Sequence, residues 1–263
     1  MIEWGLYALV GIFAGLSAGL LGLGGGLVIV PSLLVVFSWQ AIPELQLMHF
    51  AVGTSLMTIT VTSISSLYAH QQHGNINWQI TRMLIPSLML GGVLGAYFAT
   101  MLTSDLLQQF FAVYALLMAL RMWFPVAMTI KNGLLNKLRL QIAGCVIGSI
   151  SALVGIGGGT LVVPYLVMAR QSMQSAIGTA AACGLPISIA AVAGYMIFGQ
   201  PDQTLNGTWQ TGFVHWPAFW GIVSTSIIVA PMGALLAKRL PINRLRRLFA
   251  LVLLMVALYL FIS

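Results

Sequence analysis

Charge is what this sequence lacks: 6% of its 263 residues are Asp, Glu, Lys or Arg, where a soluble domain carries about 25%. So few charges cannot clothe a water-exposed surface, and a soluble globular protein is excluded. The shortage is sharpest for acids, four against eleven Lys and Arg, leaving a net charge of +7. That excess would suit nucleic acid only if the basic groups formed a patch beside an otherwise solvated surface, and there are too few to do both. No nucleic-acid partner is expected. Cysteine is nearly absent as well. Cys145 and Cys183 lie in apolar stretches and read as small packing residues, not as a disulfide or a reactive thiol. His70-Gln-Gln-His73 has helical i, i+3 spacing but no acid or thiol nearby, so neither a metal nor a cofactor is expected.

What the chain has instead is apolar sequence, 59% of all residues. It comes in long blocks, among them Leu47 to Tyr68, Met83 to Met101, Ala176 to Phe198 and Leu248 to Ile262. Each is near the roughly 20 residues a helix needs to cross about 30 Å of hydrocarbon. An all-α polytopic membrane protein is predicted, with the lipid bilayer as its main partner. Met1-Ile2-Glu3-Trp4 offers an acid where a secretory signal carries basic residues, so the first apolar segment is expected to stay in the fold.

The chain is written twice. Gly15-Leu-Ser-Ala-Gly-Leu-Leu-Gly-Leu-Gly-Gly-Gly-Leu-Val-Ile-Val-Pro31 aligns without gaps to Gly148-Ser-Ile-Ser-Ala-Leu-Val-Gly-Ile-Gly-Gly-Gly-Thr-Leu-Val-Val-Pro164. Gly53-Thr54 then matches Gly178-Thr179, and Gly74-Asn-Ile-Asn-Trp78 matches Gly212-Phe-Val-His-Trp216. Further on, Gly95-Ala96 falls on Gly233-Ala234 and Phe111-Ala112 on Phe249-Ala250. Residues 1–124 form a first membrane repeat, 125–139 a cytoplasmic linker and 140–263 a second membrane repeat. Each has about five apolar segments: one stretch, a glycine cluster, a short stretch of about a dozen residues, and three full spans.

The basic residues decide how the short pieces lie. If each glycine cluster only kinked one long helix, the basic loops 121–139 and 238–247 would fall on opposite faces, against the positive-inside rule. If the chain doubles back at the glycines, the second repeat is inverted relative to the first. All eleven Lys and Arg then fall on one face, taken as cytoplasmic, and Glu3, Glu44, Asp105 and Asp202 on the other. Both termini are predicted outside, with the protein in the cytoplasmic (inner) membrane.

Glycine is costly in a helix, and within a bilayer irregular backbone survives only where protein buries it or water reaches it. Gly22-Leu-Gly24-Gly25-Gly26 and Gly155-Ile-Gly157-Gly158-Gly159 therefore read as the tips of broken or re-entrant helical hairpins. Pro31 and Pro164 are expected to disrupt the short arms further. In an inverted repeat two such tips enter from opposite faces and meet near the midplane, where free N–H groups at a half-helix N-terminus suit an anion. Gly24, Gly25, Gly26, Gly157, Gly158 and Gly159 are the candidate substrate-binding backbone, assisted by Thr54, Ser55 and Thr179 early in the following spans. The clusters are not dinucleotide fingerprints, because the sixth position is Leu27 or Thr160 and no soluble strand precedes them. Upstream, Gly11, Gly15 and Gly19, with Gly144, Gly148 and Ala152, form small-xxx-small faces for close helix packing.

No Asp or Glu falls inside a span, which argues against coupling through a buried acid. His49, near the outer end of its span, is the titratable group nearest the pathway. No catalytic residue is assigned, since the dispersed cysteines and histidines pair with no base, and an enzyme is not expected.

With its doubled Gly-x-Gly-Gly-Gly-x-x-x-Val-Pro pattern, the Gly-Thr after each hairpin and the Gly-x-Ile/Val-x-Trp entrances, the chain resembles the sulfite exporter TauE/SafE family of membrane permeases. The resemblance covers nearly the whole chain. It implies transport of a small sulfur-containing anion such as sulfite or a sulfonate. The position before the entrance tryptophan, often acidic in that family, is Asn77 and His215 here. An anion channel, or a permease for another small solute or a metal ion, are the rival readings. Transport direction, coupling ion and self-association are not written in the sequence.

Overall fold

The computed structural model describes residues 2–21, 25–40, 42–124, 135–201, 209–237 and 242–262. Over these residues the chain is helical apart from one short hairpin. The first half contains α1 (Ile2–Leu21), α2 (Gly26–Ser38), α3 (Glu44–Gln72), α4 (Trp78–Met101) and α5 (Ser104–Trp123). The second contains α6 (Lys137–Val154), α7 (Gly159–Met168), α8 (Met173–Ile197), the antiparallel strands β1 (Gln210–Thr211) and β2 (Val214–His215), α9 (Trp216–Ala237) and α10 (Ile242–Ile262). Helices α3, α4, α5, α6 and α8 are long and apolar enough to cross a bilayer. Large apolar side chains such as Phe13, Phe110, Ile142, Ile228 and Leu258 are exposed, as a lipid-facing surface requires and a water-facing one does not.

The two short helices are half-length elements. With 13 and 10 residues, α2 and α7 reach roughly 20 and 15 Å at about 1.5 Å per residue. Pro31 and Pro164 do not break them, contrary to the expectation from sequence; each helix runs through its proline. One backbone bond per helix is forfeited, because proline has no N–H to donate to the carbonyl four residues earlier. Around the glycine cluster the first half doubles back. The Tyr7 hydroxyl near the start of α1 donates to the side-chain oxygen of Gln40 just beyond α2, 2.6 Å away across 33 residues, which a straight helix would hold about 50 Å apart.

Packing between the halves is reciprocal. Helix α1 lies along α9, and its counterpart α6 lies along α4, the counterpart of α9. The same positions make the contacts. Gly11 meets Ile222 and Thr225 while Gly144 meets Leu84 and Ser87; Gly15 meets Ser226 and Ala230 while Gly148 meets Leu88 and Gly92. Each pair of partners differs by the spacing found in the repeat. The small-xxx-small faces are therefore helix-packing surfaces, as their spacing indicated. At the centre, α3 packs on its counterpart α8, and these are the most buried of the long helices.

Several charged residues among those described lie at the ends of the helices. Glu3, Glu44 and Asp105 each occupy the first turn of a helix, where the positive end of the helix dipole favours an acid. These helix starts gather at one end, as the Met48 N–H donating to the Ser104 hydroxyl at 3.0 Å illustrates. Arg82 lies in the first turns of α4 and Arg121 in the last turn of α5, at the other end. Asp202 lies outside the described residues.

Replacing Gly148 by Leu forces a side chain into the Leu88 carbonyl, and such overpacking costs about 1–3 kcal/mol or more. A thermal melt in detergent is expected to show G148L well below the wild type. Gly5, where an added Cβ would have no neighbour within 4 Å, should accept Leu with little change.

Candidate functional site

The short helices begin in the same unusual way. Gly25 (φ 72°, ψ −19°) precedes α2, and its repeat counterpart Gly158 (φ 72°, ψ −14°) precedes α7. This left-handed conformation is strained for any residue with a Cβ. It turns the chain so that one carbonyl accepts two N–H groups of the first helical turn. Gly25 accepts from Val28 and Ile29 at 2.9 and 3.0 Å, and Gly158 from Leu161 and Val162 at 3.0 and 2.8 Å. Gly24 lies outside the described residues.

The two tips touch. A Cβ on Gly26 would lie 2.5 Å from the Gly155 carbonyl oxygen and 3.1 Å from the Ile156 Cα, so the first half's tip sits directly on the second half's backbone. Ser55 on α3 donates its hydroxyl to the same Gly155 oxygen at 2.9 Å. Ile59, one turn further along α3, packs against both Gly26 and Gly157, and the Gly157 carbonyl rests on Gly184 of α8. Gly26, Ser55 and Gly157 are thus brought together and buried between α3 and α8. Gly25 faces the first helix of its own hairpin, beside Ala14 and Ala18, whereas Gly158 lies between Ile187 of α8 and Ser151 of α6.

Thr54 and Thr179 have a different setting. The His215 N–H donates to the Thr54 hydroxyl at 3.0 Å, and the Asn77 N–H donates to the Thr179 hydroxyl at 3.0 Å. The glycine before each threonine completes the contact, since a Cβ on Gly53 would strike the Phe213 carbonyl and one on Gly178 the Asn75 carbonyl. Each Gly-Thr pair therefore clips the entrance segment of the opposite half. Other hydroxyls on α3 do bond back to their own helix: Thr58 donates to the Thr54 carbonyl and Thr60 to the Leu56 carbonyl, both at 3.0 Å.

The clipped residues are helix caps. Asn77 accepts the Ile80 N–H at 3.2 Å through its side-chain oxygen, and His215 accepts the Ala218 N–H at 3.2 Å through Nδ1. In the sequence these positions stand out only for lacking an acid. The signal for a cap was available in Asn77, a preferred N-cap residue directly before a helix; for His215 it came only through the repeat. Trp78 and Trp216 follow the caps, and their indole N–H groups donate to Gln71 and Thr211.

A separate cavity of about 470 Å³ opens between the start of α3, the ends of α4 and α8, and Phe213, with Gln46, His49, Thr100 and Gln200 in its walls. The His49 Nε2 lies 3.0 and 3.1 Å from the carbonyl oxygens of Ala99 and Leu102. Two acceptors there require Nε2 to carry the proton, which leaves Nδ1 a bare acceptor, buried and without a protein partner. No group of three metal-ligating side chains occurs among the described residues, and Cys145 and Cys183 are unpaired.

Comparison with known proteins identifies the family. The family model described as "Sulfite exporter TauE/SafE" matches residues 7–260. The chain belongs to the sulfite exporter TauE/SafE family. A "probable membrane transporter protein" of Haemophilus influenzae is 36% identical over 261 residues, 98% of each chain. One of Methanocaldococcus jannaschii is 31% identical over 65% of this chain and 64% of its own. A third, of Xylella fastidiosa, is 28% identical over 95% of this chain and 91% of its own. No solved structure matches. Among TauE/SafE features, the doubled glycine pattern now has a geometry, a left-handed glycine opening a half-length helix, and the Gly-Thr pairs have a task in holding the halves together.

Burial pushes the His215 pKa from its ordinary 6.5 down to about 4, and its cap bond needs Nδ1 unprotonated. The unfolded chain binds this proton at higher pH than the folded one, so the contribution is complete above pH 6.5 and lost as pH falls toward about 4. His215→Ala is expected to cost about 1 kcal/mol at neutral pH, the usual worth of a cap. His215→Asn should keep the cap, as Asn77 does, and flatten the decline in melting temperature between pH 6.5 and 4. Parallel melts of the three proteins across that range check both statements.

Proposed function

We propose that this chain is a cytoplasmic-membrane permease for a small anion of the sulfur oxyanion or organosulfonate class, sulfite foremost, working by alternating access around a midplane site. Its two membrane repeats, 1–124 and 140–263, lie inverted with respect to each other and are joined by the cytoplasmic linker 125–139. The basic end of the bundle faces the cytoplasm and both termini face outward.

The observation that carries this reading is the pair of half-length helices, each opened by a left-handed glycine, whose tips meet where Gly26 rests on Gly155. Half-helices ending inside hydrocarbon aim positive dipole ends and unpaired N–H groups at their meeting point. No described helix carries a carboxylate beyond its first turn, so nothing nearby repels an anion or offers a cation its ligand. The substrate is held by backbone around Gly24 to Gly26 and Gly157 to Gly159, with the Ser55 hydroxyl beside it. Thr54 and Thr179 assist from beside the tips by fixing the entrance segments, so that movement of one half carries the opposite entrance with it. The TauE/SafE membership supports the choice of sulfur anions.

Purified protein in liposomes is expected to take up labelled sulfite, thiosulfate or methanesulfonate saturably and to show counterflow. Flux that never saturates and follows the membrane potential would favour a channel. Gly158→Val and Gly25→Val, which force a branched side chain into a left-handed position, should each reduce uptake below roughly a tenth of wild type. Circular dichroism and gel filtration verify that both variants remain folded. Wild-type rates from both variants would overturn the proposed site.

A further inference from the structure

The two hairpin tips share a backbone but not a chemistry. In the first half the residues beside the turn are apolar: Ala18 lies beneath Gly25, and Leu27 is the second residue of α2. Their repeat counterparts are Ser151 and Thr160, both hydroxyls and both buried. Ser151 is fully buried, and its Oγ lies 3.5 Å from where a Cβ on Gly158 would stand, directly under the start of α7. That Oγ has no hydrogen-bond partner. This is unusual, because a buried serine normally bonds back to its own helix, as Ser17 does to the Ala14 carbonyl at 2.8 Å in the first half.

The start of α7 above Ser151 carries donors, and neither α6 nor α7 contains an Asp or Glu. Among the described residues, the N–H groups of Gly157, Gly158, Gly159 and Thr160 meet no protein acceptor. The Thr160 hydroxyl bonds to the Tyr114 hydroxyl of α5; two hydroxyls sharing one bond leave one proton to give. Tyr114 has Val252 as its repeat counterpart, so this donor too belongs to one tip only. An unpaired buried donor is costly, and several gathered at one helix N-terminus suit a ligand made of acceptors.

We infer that the anion's oxygens are bound at the α7 tip and that Ser151 is a residue determining affinity there, while the α2 tip closes the site without contributing a side-chain donor. The inference rests on the permease reading and assigns the substrate's charged group to one of its two tips. Removing one hydrogen bond to an anion weakens binding roughly tenfold or more.

The test compares saturable uptake of labelled sulfite, thiosulfate and methanesulfonate by liposomes containing wild type, Ser151→Ala, Ser151→Cys and Ser17→Ala. Ala is the residue the other tip uses, and Cys preserves the volume while giving only a weak donor, so loss of fold in one variant leaves the other to decide. KM for the transported anion is expected to rise about tenfold in both Ser151 variants, with kcat within about twofold and with S17A matching wild type. Wild-type KM in a folded Ser151 variant would overturn the inference and leave the permease reading standing. A wild type that moves none of the three anions would overturn the permease reading and this inference with it.

Discussion

The constraint on which this structure depends is that a polypeptide cannot leave polar backbone bare in hydrocarbon. Each half of the chain breaks its backbone at a glycine turn, and protein covers part of each break while the N–H groups opening α7 stay free for a ligand. Gly26 lies on Gly155, Ile59 covers Gly26 and Gly157, and Ser55 satisfies the Gly155 carbonyl. The same logic governs the entrance segments, where Thr54 and Thr179 each receive an N–H from the opposite half. At these points each half supplies a hydrogen-bond partner to backbone of the other. The reciprocal packing of α1 on α9 and of α6 on α4 joins the same two halves.

Reciprocity in the scaffold makes departures from it informative. Where the two halves only pack, corresponding positions do corresponding work: Gly11 with Gly144 and Gly15 with Gly148 admit the opposite helix, each threonine clips, and Asn77 and His215 both cap a helix. Where they meet at the tips they diverge, with Ser151 and Thr160 against Ala18 and Leu27. A transporter built from two similar halves needs a similar scaffold on both sides so that its two conformations are close in energy. It has no such need for symmetry in the groups that touch an asymmetric substrate.

Much of this is legible in the sequence because a duplicated gene prints its constraints twice. Glycine clusters at matching positions identify the hairpins, and the half-length helices α2 and α7 follow them as expected. The small-xxx-small faces are legible because spacing alone defines a packing stripe. Three features are not. Pro31 and Pro164 point to disrupted helices, but one missing bond is tolerated when the rest of a short helix is held by packing. The Gly-Thr pairs suggest hydroxyls near a substrate, while the clips they form engage partners about 100 to 160 residues away, a distance periodicity cannot bridge. Ser151 escapes notice because aligning the two copies displays what they share, whereas its signal is a difference between them.

The central claim, that an anion is held by backbone donors at the meeting tips, is most directly tested by locating one. Crystals of the protein grown with selenite, an analogue of sulfite with a strong anomalous scatterer, would place the anion without reference to transport rates. The expected result is a selenium peak beside the N–H groups of Gly158 to Thr160, near enough for the anion's oxygens to accept from them, and lost in the Ser151→Ala variant at limiting selenite. A peak confined to the cavity beside His49, with none at the tips, would contradict it.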